Sequence, residues 1–140
     1  MLNSNSKTKK KSRIEKYYND VYEVYLVVAN KYATLEQLKK NYSYADGAEL
    51  DEEITKASAC TARCKDIKTG KPVIIVKFNE TVKDAKLWFT NTTAHEATHV
   101  ALDIYEMIQQ NICFCSPEPF CYLVGWATEC IYKTLTKWII

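Results

Sequence analysis

The chain has two histidines in 140 residues, and both fall in one pentapeptide, His95-Glu96-Ala97-Thr98-His99. On a helix this i, i+4 spacing sets the two imidazoles on one face, about 6 Å apart along the axis, close enough to grip a single Zn2+. Glu96 sits one position round from the first histidine. There its carboxylate reaches a water beside the ion rather than the ion itself, which is the placement of a general base. The bland alternative is an ordinary helix that spells H-E-x-x-H by accident. That both histidines of the chain stand at ligand spacing, with the base between them, favours the metal.

A catalytic zinc takes three protein ligands and keeps one position open. Asp103 and Glu106 follow on the same stretch, but Asp103 lies about 12 Å along the axis from His95, too far for bonds of about 2 Å to a shared ion. The third ligand has to come from another element. Glu118, 19 positions beyond His99, leads the candidates: Pro117 and Pro119 set its backbone at the start of a second helix, and residues 111–116 let the chain turn back. Glu129, Cys113, Cys115 and Cys121 compete with it.

The elements that must position these residues follow from local pattern. Residues 91–93 offer Asn and Thr cap oxygens ahead of a helix to about Gln110, and Ser116-Pro117 opens a final helix to about Trp138. Before them, a loop carries Trp88 and Phe89. The runs 57–65 and 73–78 flank a turn-rich stretch from Asp66 to Pro72, as expected of two antiparallel strands. Val21, Tyr22, Val24, Tyr25, Leu26, Val27 and Val28 read as one further strand within 13–30. Thr34 caps a short helix through Leu35 and Leu38, and residues 49–53 form a connection or short helix. The expected class is α+β: a small three-stranded sheet packed by the motif helix and a C-terminal helix.

Composition sets the frame. At 47% hydrophobic and 26% charged residues the chain is that of one globular domain. No apolar run approaches a membrane span, and Met1 to Ser6 lack a secretory core, so a cytoplasmic protein with no membrane association is expected. Residues 1–13 hold five of the 19 basic residues and no acid, leaving 14 basic against 17 acidic, net −3, for the rest. That tail reads as a disordered, solubilising end, and 14–140 as the domain. A nucleic-acid partner is disfavoured, since no recognition motif follows. The six cysteines are too sparse for a disulfide scaffold and read as free thiols, with a second zinc on Cys60, Cys64, Cys113 and Cys115, or a disulfide among those four, as the alternatives.

The stretch from Thr93 to His99, together with Glu118-Pro119-Phe120-Cys121-Tyr122-Leu123-Val124-Gly125-Trp126, resembles the zincin metallopeptidases whose third ligand is a glutamate, the gluzincins. Within them it is similar to small zincin-like proteins of bacteriophages and mobile elements. The resemblance spans about residues 70–132. It departs from the metzincin pattern, because Leu102 stands in the glycine position and Tyr105 in that of a third histidine. It implies a Zn2+ held by His95, His99 and Glu118, with Glu96 taking a proton from water and returning it to the leaving amine of a cut peptide. Tyr122 would be an oxyanion donor, and Thr92, Thr93 or Asp103 would hydrogen-bond the histidines. The substrate would add as a strand to the sheet edge beside the motif helix, with 73–78 as that edge. A non-catalytic accessory protein that binds a protein partner and keeps a structural zinc is the rival expectation.

Overall fold

The computed structural model describes residues 11–80 and 86–136. Residues 14–30 form two strands rather than one, β1 (Ile14–Asn19) and β2 (Val24–Ala29), paired antiparallel. The reversal is made by Asn19, whose Oδ1 accepts from the N–H groups of Val21 and Tyr22 at 3.1 Å each, and by Glu23 in the left-handed region at φ 52. Apolar residues continue through the turn and mask it. Asn30 closes β2: its side-chain oxygen accepts from the N–H groups of Arg13, Tyr32 and Ala33, and its amide donates to the Lys11 carbonyl. The backbone at Lys11 and Arg13 is thereby tied to the sheet, while residues 1–10 of the basic tail lie outside the described part.

Next comes α1 (Leu35–Lys39), begun by a reciprocal capping box between Thr34 and Gln37. β3 (Tyr42–Tyr44) has no counterpart among the expected strands, because at three residues it is too short to show a period. A four-residue helix, α2 (Glu53–Lys56), leads into β4 (Ala59–Asp66) and β5 (Pro72–Phe78), which form the expected antiparallel pair. Their turn is held by Asp66, which accepts from the N–H groups of Lys68 and Thr69, and by Gly70 at φ 70. Two long helices finish the chain, α3 (Lys86–Met107) and α4 (Glu118–Thr136). The loop expected at Trp88 and Phe89 is already the first turn of α3, and Trp138 lies outside the described residues.

The α+β class holds, but the sheet has five strands, not three, in the order β1-β2-β5-β4-β3. All neighbours are antiparallel except β2 and β5, which run parallel. The run 73–78, expected at the edge, is central. Its near-continuous Val-Ile-Ile-Val sequence is what a strand covered on both faces requires. On one face Leu26, Val28, Ile74, Val76 and Phe78 pack under α3 and α4. On the other, Val27, Ala29, Val73 and Ile75 pack under Leu38, Leu50 and Ile54. Each Val, Leu, Ile or Phe side chain among them, taken fully out of water, contributes about 1.5–3 kcal/mol. No helix among the described residues is long and apolar enough to cross a membrane.

One buried group breaks the apolar pattern. Lys77 on β5 is 2% exposed, and its Nζ donates to the carbonyls of Asn30 (3.1 Å) and Phe78 (2.7 Å). Burial lowers its pKa to about 8.

Candidate metal centre

The burial of Ala97, Val100, Ala101 and Ile104 seats α3 on the sheet, and the i, i+4 spacing then carries His95 and His99 to the opposite, exposed face. Their Nε2 atoms stand 3.1 Å apart, with ring centroids separated by 4.8 Å and planes crossed at 70°. Two nitrogens bound to one tetrahedral zinc at 2.0–2.1 Å would stand about 3.3 Å apart. The pair thus fits two of the ligand positions of such an ion.

Glu96 turns to the side of the helix, where it is 5% exposed and accepts a hydrogen bond at Oε2 from the Thr61 hydroxyl of β4. Thr61 is not among the site residues expected from the sequence. The usable signal was the period of two along β4, which puts Ala59, Thr61 and Arg63 on the α3 side and Cys60, Ala62 and Cys64 on the other. Arg63 reaches Glu106 of α3 at 3.5 Å. Burial pushes the Asp103 carboxyl up, against the pull of Arg63 and His99.

The strand beneath this row has an open flank. β3 covers β4 only at Cys64, Lys65 and Asp66, and the Ala45 N–H donates to the Arg63 carbonyl at 3.0 Å just beyond. By the strand period, the N–H and C=O groups of Thr61 and Ala59 point the same way as those of Arg63, toward a side with no partner strand among the described residues. The edge next to the motif helix is therefore β4, not the run 73–78.

The remaining candidates stand elsewhere. Phe120 packs edge-on against Tyr105 at 5.2 Å, so the first turn of α4 lies level with Tyr105, six residues or about 9 Å along α3 from His99. Glu118 begins that turn and is exposed, as is Tyr122, 75% exposed and one turn further on. Glu129 is ion-paired to Lys133 at 2.9 Å on the outer side of α4. Cys113, Cys115 and Cys121 are exposed in and after the α3–α4 connection, whereas Cys60 and Cys64 pack with the far face of the sheet. Among the described residues no three His, Cys, Asp or Glu side chains cluster closely enough to hold a metal ion. Thr93 is buried with its hydroxyl unpartnered. Among the described residues neither it, nor Thr92, nor Asp103 is hydrogen-bonded to an imidazole, and the hydrogen bond of each ring is to the other.

No protein-family model, curated protein or solved structure matches the chain.

Proposed function

We propose that the protein is a zinc-dependent peptide hydrolase of the zincin type. The observation that carries this reading is the pair of Nε2 atoms 3.1 Å apart on α3, with the buried Glu96 beside them next to a length of β4 that has no partner strand among the described residues. His95 and His99 would hold the ion, which when bound supplies a Lewis acid to polarise a peptide carbonyl and acidify water. Glu96 takes and returns the proton, held in place by Thr61. The open N–H and C=O groups of Ala59 and Thr61 orient an extended peptide backbone by strand addition. In this reading Glu118 is the candidate third ligand and Tyr122 the candidate oxyanion donor, both from the exposed side of α4. The narrower zincin likeness and the phage or mobile-element origin rest on the sequence resemblance.

The absence of a third ligand near the histidines among the described residues favours a second reading, a binding protein that uses the same fold without hydrolysis. One experiment separates them. Zinc per chain is measured for the native protein, His95→Ala and Glu118→Gln, and a peptide library is screened for cleavage with Glu96→Gln as control. About one zinc, lost in His95→Ala, with cleavage lost in Glu96→Gln, is the expected result. Zinc without cleavage, or no zinc after loading, sinks the hydrolase and leaves the binding protein.

A further inference from the structure

The six thiols divide sharply by environment. Burial pushes Cys64 and Cys130 up to about 12 and raises the half-buried Cys60, so these three are poor nucleophiles. Cys113, Cys115 and Cys121 are exposed, all within nine residues at the far end of the α3–α4 hairpin from the start of α3. Two of them share a turn. The Ser116 N–H donates to the Cys113 carbonyl at 3.1 Å, closing a turn over 113–116. Such a turn keeps the Cα atoms of its first and fourth residues within about 7 Å, so those of its first and third fall in the range of about 4.4–6.8 Å that a disulfide bridges. Phe114 between them is 96% exposed, so among the described residues its ring is not packed into the fold.

We propose that Cys113 and Cys115 are a redox site, forming a reversible intramolecular disulfide with a small disulfide such as oxidised glutathione as the oxidant. One protein thiolate attacks the glutathione disulfide and releases the first glutathione. The second protein thiolate attacks the resulting mixed disulfide and releases the other. Two protein S–H bonds are lost, one protein S–S bond is gained, and the two electrons and two protons leave on two reduced glutathiones. A bridge between residues i and i+2 closes a small ring, so it is strained and belongs with the labile, easily reversed disulfides. The site does not depend on the histidine pair and stands whether or not the protein holds zinc.

The test equilibrates the full chain in glutathione buffers of graded ratio, traps free thiols by alkylation, and reads intact mass and a peptide map. The expected product is a monomer that carries two fewer alkyl groups than the fully reduced chain and, those groups aside, is lighter by about 2 Da, two hydrogen atoms, with Cys113 linked to Cys115. It is lost in Cys113→Ser and in Cys115→Ser, retained in Cys121→Ser, and reversed by excess reduced glutathione. Stable glutathione adducts without a bridge, a disulfide-linked dimer, a bridge that uses Cys121, or no change in mass would each overturn the proposal.

Discussion

Replacing Lys77 by Met tests how the interior accommodates an amine with no carboxylate beside it. The two carbonyls that Nζ contacts solvate a proton only partly, so burial lowers the pKa from 10.5 to about 8. Between those values the unfolded chain keeps the proton that the folded chain has released, and stability gained through this group rises with pH. At 1.36 kcal/mol per unit of displacement the gain from pH 7 to 9.5 is at most about 2 kcal/mol, and nearer 1 once residual screening is allowed for. Other groups oppose it over the same range. The thiols of Cys64 and Cys130 are held up near 12 in the fold, so the stability they contribute is lost as pH rises above their unfolded value of 9. The phenol of Tyr17, also held near 12, adds to that loss above 10. The useful quantity is therefore the difference between the native chain and Lys77→Met, in which these contributions cancel. Urea unfolding of both proteins at pH 7, 8, 9 and 9.5 is expected to show the native chain gaining about 1–2 kcal/mol on the variant across the series. A difference that stays flat, or that moves toward the variant, refutes the account of Lys77 as a desolvated amine.

Asn30→Ala removes a side chain that satisfies three backbone N–H groups and holds Lys11, and is expected to cost about 2–4 kcal/mol in urea unfolding, with faster amide exchange at Arg13 and Ala33. Thr61→Val leaves the Glu96 carboxylate buried without its donor. A loss of about 1–3 kcal/mol is expected, restored by Thr61→Ser; equal stability of the valine and serine variants would show that the hydroxyl is irrelevant. Thr34→Ala breaks the α1 capping box and should lower stability by about 1 kcal/mol, with little change in the denaturant slope.

How much of this was legible depends on how local each determinant is. Thr34, the Asp66 to Gly70 turn and the i, i+4 histidines act over a few residues, so pattern alone places α1, the β4–β5 pair and the exposed imidazole face. Residues 14–30 were misread because the Asn19 turn is made by side-chain hydrogen bonds inside an apolar run, which leaves no composition break. The edge strand was misplaced because 73–78 takes its neighbours from residues 24–29 on one side and 59–66 on the other, a choice no local period encodes. Glu118 is the same problem at the site. Its level on α4 is fixed by the Phe120–Tyr105 contact, and the length of the connection before it gave no measure of that.

The parallel seam between β2 and β5 also governs how the chain can assemble. Tyr25 pairs with Val73, 48 residues away, whereas the β1–β2, β4–β5 and α3–α4 pairs are each joined by a short connection. Closing the long loop costs chain entropy before any contact compensates for it, so the three local hairpins need the least closure entropy and their docking along the seam needs the most. The most deeply buried strands, which contribute most to stability, are thus the last to acquire their full set of neighbours. Until they meet, each presents a bare apolar flank that the finished sheet never shows.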